Sequence, residues 1–389
     1  MDIVLWVMVV LLSIPACVVA LECLVACLPW RAPEALSDQS RPRLTVLMPA
    51  HNEATVITDT LATIMPQLLA GDRVLVVADN CSDDTASLAQ AAGAHVAERY
   101  NDELRGKSYA LAHGMEVLRE DPPAVVIIID ADCRVQAGSL DALAKMAAAA
   151  DAPVQALDIM HANERSGVRQ RIAAFAWVVK NQVRATGMSR LGMPCPLMGT
   201  GMAFPWHLIS RMEMATGALA EDMLLGAQLV ATGHAPVFCP AACVTSEFPQ
   251  SDQATHTQRQ RWEHGHLSMI VDHAPALLQA VLKRGDLKGL FFVTDMMVPP
   301  LALQSMLMLF GLGMTGTFAW MGYGCAPFQA MSLSLVLFVS ALMIAWYRYA
   351  REVITLRQAM QIPFYIASKL SVYVTYLFSR EKSWVKTKR

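Results

Sequence analysis

The sequence predicts an α/β domain with a mostly parallel sheet, accompanied by helices that cross a membrane. Three observations support this prediction. Short apolar runs alternate with segments of helical spacing over residues 44–129, which is typical of βαβ units. Polar clusters follow the ends of those apolar runs. Long apolar stretches lie toward both ends of the chain, and only 16% of the residues are charged, against roughly 25% in an average soluble domain.

Each predicted strand is a short apolar run, and each predicted helix has apolar residues at helical spacing. Strands that alternate with helices imply right-handed crossovers and a buried, mostly parallel sheet. Ligands of such sheets bind beyond the carboxyl ends of the strands. The predicted strands are Leu44–Met48, Arg73–Ala78, His95–Glu98 and Val125–Ile129, and the predicted helices are Ala54–Leu69, Asp84–Ala92 and Lys107–Arg119.

Three apolar stretches, Ile3–Pro29, Val298–Tyr323 and Phe328–Tyr347, are long enough to cross about 30 Å of hydrocarbon. The first has no basic residue before it and no small-residue cleavage pattern, which favours an uncleaved anchor over a signal peptide. Basic residues flank the other two, so the positive-inside rule places residues 44–270 in the cytoplasm, at the inner membrane. A fourth span over 359–378 would put the basic C-terminal tail outside, so we expect an in-plane or protein-packed helix there.

The chain therefore divides into an anchor, a soluble domain and a membrane-associated C-terminal part. Residues 274–288 have an apolar face with basic residues beyond it, which fits an interfacial helix or a surface helix of the soluble domain. The predicted segments are an anchor over 1–31, a linker over 32–43, the α/β domain over 44–270, an interfacial region over 271–297, two membrane helices over 298–347, and a cytoplasmic or interfacial segment over 348–389.

Charge and cysteine content exclude several classes of protein. With 31 basic and 33 acidic residues the formal net charge is −2, which argues against a nucleic-acid-binding protein. An apolar content of 54% excludes a disordered chain. The nine cysteines are scattered and form no CxxC pair, so neither a disulfide framework nor a zinc ribbon is predicted.

Asp130 and Asp132 directly follow an apolar run that contains no other polar group. In extended backbone, residues two apart point to the same side. Two carboxylates that close repel each other unless a cation is shared or one of them is protonated. A hard divalent cation, Mg²⁺ or Mn²⁺, would satisfy both and could also bind a diphosphate. The alternative is a solvated turn at the end of a strand.

Three further residues have positions that suit a nucleotide. Asp79 ends the second predicted strand, where a carboxylate can accept hydrogen bonds from a base or ribose. Glu53 follows the first strand and fits either a ligand contact or an ordinary charge at a helix start. Lys107 begins a helix after Gly106, which is unfavourable for the helix dipole unless an anion lies near.

Two later segments carry candidate chemistry. Glu221 and Asp222 begin a helical run, where they are either dipole partners or a general base in a cleft. The segment 258–262 reads Gln-Arg-Gln-Arg-Trp. Its Arg261 can contact phosphate through two nitrogens, and Trp262 can stack, although an Arg/Trp pair beside a membrane is also a generic anchor.

These motifs occur in a fixed order along the chain: Pro-Ala-His-Asn-Glu at 49–53, Asp-Asn at 79–80, Gly-Lys at 106–107, Asp-Ala-Asp at 130–132, Glu-Asp at 221–222 and Gln-x-x-Arg-Trp at 258–262. Together they resemble membrane-bound family 2 glycosyltransferases with a GT-A domain, the group that includes cellulose, chitin and hyaluronan synthases and ceramide glucosyltransferases. The resemblance covers roughly residues 42–270 and the flanking helices. It implies a Rossmann-like GT-A sheet.

The resemblance implies a role for each motif residue. Asp222 would be the general base, and Asp130 and Asp132 would bind the metal and the diphosphate, with Asp132 the direct metal ligand. The acceptor would lie near Glu221 and the glycine-containing stretch at 198–202. The implied nucleotide-sugar contacts are Glu53, Asp79, Lys107, Asp130, Gln258, Arg261 and Trp262, and the implied acceptor contacts are Gly199, Thr200, Gly201 and Glu221.

The resemblance further implies an inverting transfer from a UDP-sugar to a hydroxyl of a lipid-linked or growing polysaccharide acceptor, among membrane lipids. Polymerising members thread their product through a bundle of membrane helices. Three expected spans are few for such a pore, which favours a lipid acceptor, or else a synthase that needs a polysaccharide-export partner or a homo-oligomer. Two other classes stay open, a non-catalytic nucleotide-sugar-binding subunit and a nucleotidyltransferase.

Overall fold

The computed structural model describes residues 2–29, 40–162, 166–248 and 252–378. Most of the expected linker, 32–39, and the basic tail from 379 onward lie outside the described residues. The described chain forms two compact units. The sheet unit contains residues 40–161 and 194–247, and the helical unit contains residues 2–29, 166–193 and 252–378.

The sheet unit is built on eight strands in the order β3-β2-β1-β4-β7-β6-β8-β5. The pairs β1/β2, β1/β4, β2/β3 and β6/β8 are parallel, while β7 pairs antiparallel with β4 and β6, and β5 with β8. The strands are β1 Leu44–Ala50, β2 Arg73–Asp79, β3 His95–Arg99, β4 Val125–Ile128, β5 Arg134–Val135, β6 Val154–His161, β7 Met202–Pro205 and β8 Val237–Glu247. The expected mostly parallel α/β sheet is confirmed.

Seventeen α-helices occur in the described residues, and short π-helical turns extend three of them at Val178–Arg184, Met269–His273 and Trp346–Ala350. The helices are α1 Asp2–Cys27, α2 Ile57–Ile64, α3 Thr85–Ala91, α4 Lys107–Leu118, α5 Ser139–Ala150, α6 Val168–Trp177, α7 Ala185–Arg190, α8 Trp206–Ile209, α9 Glu221–Ala231, α10 Asp252–Ser268, α11 Ala274–Arg284, α12 Leu287–Met296, α13 Leu301–Trp320, α14 Ala326–Ala345, α15 Leu356–Ala359, α16 Ile362–Ser368 and α17 Leu370–Phe378.

The central strands are mostly apolar, as expected where helices cover both faces of a sheet. Successive side chains of β1 alternate between the two faces. Val46 and Met48 belong to the core beneath α2 and α5, whereas Leu47 belongs to the core beneath α4 and α9. All three side chains are fully buried. The two apolar cores fix the position of the sheet between the helices. The loops at the carboxyl ends of β1, β2 and β4 therefore start from well-packed strands.

The helical unit contains three helices long and apolar enough to cross a membrane, within the described residues. They span Ile3–Cys27, Leu301–Trp320 and Ala326–Ala350, and at most 28% of their most apolar windows is buried inside the protein. Their remaining apolar surface is available to lipid. Residues 359–378 form no single long helix but the short α16 and α17, joined at Lys369.

Residues 166–193, which follow β6, belong to the helical unit, so the range 44–270, expected as one domain, contains residues of both units. A buried ion-pair triad explains this packing. Arg184 pairs with Glu22 of α1 at 2.6 Å and with Asp295 of α12. Glu22 is fully buried. Arg190 also donates to the carbonyl oxygen of Ala26 at 2.6 Å, and these contacts hold α1 against α7.

Gly187 allows the closest approach between α7 and α1. A Cβ atom at this position would lie 2.1 Å from the carbonyl oxygen of Glu22, which is backbone and cannot rotate away. We predict that Gly187→Ala lowers stability by about 1–3 kcal/mol or more, as overpacking does in a close-packed interior. Thermal unfolding of the detergent-purified protein measures this effect.

The matched control is Gly313→Ala in α13. Nothing lies within 4 Å of the Cβ position there, and Ala is the better helix former. The midpoint should stay unchanged or rise slightly. Equal midpoints for the two variants would contradict the close packing of α1 on α7.

Candidate active site

The polar loops after β1 and β2 lie side by side because their strands are parallel and in register from Thr45↔Arg73 to Ala50↔Ala78. His51 bonds through Nδ1 to the carbonyl oxygen of Asp79 at 2.7 Å. Asn52, whose φ is 55°, accepts a hydrogen bond from the backbone of Ser82 at 2.7 Å. The two loops therefore form one edge of the candidate site.

Glu53 lies in this loop pair, immediately before α2. Its backbone N–H donates to Thr85 Oγ1 at 2.8 Å, and its carbonyl oxygen accepts from Ile57 at 2.9 Å. The side chain is half-buried. Glu53 thus occupies the predicted position at the strand end and also begins a helix, so both interpretations of its carboxylate fit this place.

Asp79 is the last residue of β2 and is only 5% exposed. Its Oδ1 pairs with Arg99 at 2.5 Å and accepts a hydrogen bond from Asn80 at 3.2 Å. Sequence reasoning missed Arg99, because the predicted third strand stopped at Glu98. The signal was present: in parallel strands, residues that end neighbouring strands lie at the same edge, and Asp79 is in register with Arg99. The pair holds the Asp79 carboxylate in one orientation.

A cluster of charged side chains surrounds Lys107 at the start of α4. Lys107 Nζ lies 2.5 Å from Asp130 Oδ1 and 3.8 Å from Glu221 Oε1. It donates a hydrogen bond to the carbonyl oxygen of Gly199 at 2.7 Å. Residues separated by more than 100 positions in sequence thus meet within the sheet unit. The carboxylates of Asp130 and Glu221 therefore offset the unfavourable position of Lys107 at the start of a helix.

The turn at 199–201 packs against this cluster. Gly199 has a φ of 92° and Gly201 a φ of 65°, conformations that favour glycine. A Cβ on Gly199 would lie 3.5 Å from Asp222 Oδ2. Thr200 Oγ1 accepts a hydrogen bond from the backbone N–H of Asp130 at 3.1 Å. Thr200 is therefore tied to the strand end, while Gly199 brings the turn next to Asp222.

Gln155 is a second residue that sequence reasoning missed. It is fully buried in β6. Its amide donates to the carbonyl oxygen of Thr200 at 2.9 Å and its Oε1 accepts from the backbone of Met198 at 2.8 Å. These two hydrogen bonds fix the 199–201 turn to strand β6. A polar residue inside an apolar strand, Val-Gln-Ala-Leu, was the available signal.

Burial and neighbouring charges together shift the pKa values of the side chains in this cluster. Burial raises the pKa of Glu221 to about 7, with Asp222 adding to the effect and Lys107 opposing it. Burial also raises the pKa of Asp130, again against Lys107 and with Asp132 adding to it. For Lys107, burial alone would lower the pKa, but the carboxylates of Asp130 and Glu221 outweigh it and raise the value. Lys107 therefore stays charged at neutral pH, whereas the carboxyl group of Glu221 has a pKa of about 7.

A small concavity lies beside Glu221 and Asp222 in the sheet unit. Its lining combines apolar side chains with the carboxylates of Glu213, Glu221 and Asp222 and the amide of Gln228. Asp222 thus lies at the surface of a concavity within the sheet unit. The other lining residues are Ser108, Leu111, Met202, Met214, Thr216, Leu224 and Leu225.

The donor set suits a divalent cation that also binds phosphate. Asp130 and Asp132 flank Ala131 just beyond β4, and both are half-buried. Among the described residues, no group of three or more His, Cys, Asp or Glu side chains could hold a metal. Mg²⁺ sites commonly use one or two carboxylates, with substrate phosphates and waters completing the octahedron. Two carboxylates beside the ammonium of Lys107 fit that pattern.

Gln258, Arg261 and Trp262 lie on α10, in the helical unit. Trp262 packs against Trp177 at the end of α6, with ring centroids 5.0 Å apart. The carbonyl oxygen of the Gln258 side chain is buried, and no hydrogen-bond partner for it lies among the described residues. The three residues belong to a different unit from the Lys107 cluster, and their contact with a donor stays a prediction.

The C-terminal helices hold α10 in place. Glu263 pairs with Lys369 at 2.6 Å, and His264, fully buried, bonds through Nε2 to the carbonyl oxygen of Val372 at 3.1 Å. His266 bonds in the same way to Met296 at 3.1 Å. Helix α10, which carries the Gln-x-x-Arg-Trp segment, is therefore held by contacts with segments that follow it in the sequence.

Acid should destabilise this packing through His266. Burial, with the nearby charge of Lys180, lowers the pKa of His266 to about 3 from an ordinary 6.5. The unfolded chain takes up the proton below pH 6.5, so stability is lost as the pH falls, by about 2–3 kcal/mol at pH 4.5. We predict that His266→Gln reduces the drop in unfolding midpoint between pH 7 and pH 4.5. The same change at the exposed His95 should leave the drop intact, and an undiminished drop in His266→Gln would refute the prediction.

The chain is similar to known proteins both in sequence and in structure. The chain is 24% identical over 262 residues to the probable glycosyltransferase YdaM of Bacillus subtilis (strain 168), an alignment that covers 62% of this chain and 60% of the length of that relative. The mannosyltransferase PcManGT from Pyrobaculum calidifontis, solved with GDP-Man and Mn²⁺, has a TM-score of 0.55 at 18% identity, covering 97% of this chain and 100% of the other. The glucosyl-3-phosphoglycerate synthase from Mycobacterium tuberculosis aligns at a TM-score of 0.40 and 18% identity, over 64% of this chain and 85% of that one.

The first of these structures shows that the fold is of the GT-A type. A family profile described as glycosyltransferase like family 2 matches residues 42–265, which is more than half of the chain. The range contains every motif from the loop after β1 to the Gln-x-x-Arg-Trp segment of α10. The protein therefore belongs to glycosyltransferase family 2 and is an enzyme of that family.

Proposed function

We propose that this glycosyltransferase moves a sugar from a UDP-sugar to a hydroxyl of a lipid-linked or growing polysaccharide acceptor, with inversion at the anomeric carbon. The transfer takes place at the cytoplasmic face of the inner membrane. The observation that carries the proposal is the cluster in which Lys107, Asp130, Glu221 and the 199–201 turn meet beside Asp222. This cluster combines the ammonium group of Lys107, which can bind a diphosphate, with the carboxylate of Asp222, which can take a proton from an acceptor hydroxyl.

Asp222 is the general base in this proposal. Its carboxylate takes the proton of the acceptor hydroxyl, whose oxygen then attacks the anomeric carbon. The bond from that carbon to the β-phosphate oxygen breaks, and UDP leaves with the electron pair. A base on one side of the sugar and a leaving group on the other require a single in-line displacement, which inverts the configuration.

Lys107 stabilises the charge that develops on the departing diphosphate. Its ammonium is already positioned by Gly199, so little reorganisation is needed during the reaction. A Mg²⁺ or Mn²⁺ ion held by Asp130 and Asp132 would add positive charge at the same phosphates. The fold comparison supports this assignment, since the mannosyltransferase of the same fold was solved with a nucleotide sugar and Mn²⁺.

Asp79 and Glu53 would contact the nucleoside, and Gln258, Arg261 and Trp262 would contact the donor or acceptor. Asp79 is suited to this because Arg99 fixes its carboxylate. The acceptor is proposed to be lipid-linked because the three apolar helices within the described residues are few for a polysaccharide pore formed by one chain. A synthase that acts with an export partner or as a homo-oligomer is the alternative.

A nucleotide-release screen tests the proposal. Purified full-length protein in lipid nanodiscs is incubated with Mn²⁺, a membrane lipid extract and a panel of UDP-sugars, with GDP-mannose as the comparison donor. We expect UDP release and a lipid product heavier by one sugar. A ladder of masses would favour the polymerising alternative over single addition. Release of pyrophosphate, or no release from any donor, would overturn the proposal.

A further inference from the structure

We propose that Lys107 holds the place of the divalent cation at Asp130, so that the cation binds tightly only together with the nucleotide diphosphate. This inference rests on the proposed function, since it assumes a diphosphate donor. It goes beyond that function by assigning Lys107 two successive partners. Before the donor binds, Lys107 neutralises Asp130, and afterwards its charge lies against the diphosphate.

The contacts of Lys107 support the first of these states. An ammonium group has three donors. Nζ lies 2.5 Å from Asp130 Oδ1, 2.7 Å from the carbonyl oxygen of Gly199 and 3.8 Å from Glu221 Oε1. Only 21% of the Lys107 side chain is exposed. The ammonium is therefore held against Asp130 by neighbours on two other elements.

The charge balance explains the consequence for a metal ion. A cation that bound Asp130 alone would face the ammonium of Lys107 across a short distance, and the repulsion would weaken its binding. A diphosphate brings at least two negative charges into the same place. It offers Lys107 a new anion and offers the cation additional oxygen ligands. Cation and nucleotide are then expected to bind cooperatively, each raising the affinity for the other.

Manganese binding without any nucleotide tests this directly. The free Mn²⁺ signal in electron paramagnetic resonance is titrated with the full-length protein in detergent. Lys107→Met should bind Mn²⁺ at least about tenfold more tightly than the wild type, a gain of about 1.4 kcal/mol. Lys107→Gln should show the same gain, and Lys107→Arg, which keeps the charge, should not. Lys145→Met, which removes a half-buried ion pair with Asp141 in the same unit, is the matched control and should stay at wild-type affinity.

Three results would overturn the proposal: equal or weaker Mn²⁺ binding by both neutral variants, the same gain in Lys145→Met, or a gain that survives Asp130→Asn in the Lys107→Met background. Addition of UDP should tighten Mn²⁺ binding strongly in the wild type and much less in Lys107→Met. The nucleotide-free titration needs no donor, so it separates the two ideas. Failure of UDP-sugar turnover overturns the proposed function, whereas failure of the neutral variants to gain Mn²⁺ overturns the role of Lys107 alone.

Discussion

Asp222→Asn should abolish sugar transfer while UDP binding persists. The amide has nearly the shape of the carboxylate but cannot accept the acceptor proton, so the general-base contribution is lost, about 10²–10⁴-fold in rate. Asp222 stands at the first turn of α9 and lies beside the 199–201 turn. We expect the rate of UDP release with acceptor to fall by about 10³-fold. UDP affinity, measured by calorimetry, should change little, because the base acts on the acceptor.

Asp59→Asn is the matched control for this variant. Asp59 also lies in the first turn of a helix, α2, in the same unit, and forms an exposed ion pair with Arg134 at 3.0 Å. The same chemical change at that place should leave turnover within about twofold of the wild type, since exposed ion pairs contribute little. Undiminished turnover in Asp222→Asn would refute the role of Asp222.

Asp132→Asn should remove the dependence of the enzyme on added metal together with most of its activity. One of the two carboxylates available to the cation is lost, and the remaining Asp130 is paired with Lys107. In the wild type, EDTA should stop turnover and added Mn²⁺ or Mg²⁺ should restore it. In Asp132→Asn we expect turnover to be reduced by about 10²-fold or more, with no recovery at ordinary Mn²⁺ concentrations.

The control for the metal experiment is Asp102→Asn. Asp102 is highly exposed and pairs with Arg105, three residues along the chain, so its loss should change neither the rate nor the response to EDTA. Turnover that is indifferent to EDTA in the wild type would contradict the metal assignment. So would full recovery of Asp132→Asn at the Mn²⁺ concentration that saturates the wild type.

The sheet could be predicted from sequence because its strands are continuous apolar runs separated by helical spacing. Val125–Ile128, for example, forms a strand where a strand was expected. The position of Asp79 at a strand end also followed from the sequence, because the carboxyl ends of parallel strands meet at one edge. Periodicity within one segment was sufficient for these features, since each depends on residues close together in the chain.

The partners of the site residues could not be predicted in the same way. Arg99, Gln155 and Gly199 act through contacts with residues 20 to 92 positions away, and no local pattern marks such contacts. The contacts that join residues 166–193 to the first helix could not be predicted for a related reason. Residues 166–193 have ordinary composition, and contacts such as the pairing of Arg184 with Glu22, 162 positions apart, show that they belong with the first helix.

A structure of the full-length protein with Mn²⁺ and UDP tests the central claim most directly. That claim is that the sheet edge around Lys107 holds a metal-bound nucleotide diphosphate beside Asp222. We expect the Mn²⁺ ion in coordination distance of the Asp132 carboxylate, the diphosphate within hydrogen-bond reach of Lys107, and the base of UDP at the loops after β1 and β2. Nucleotide density elsewhere in the protein, or a metal ion bound away from Asp132, would contradict it.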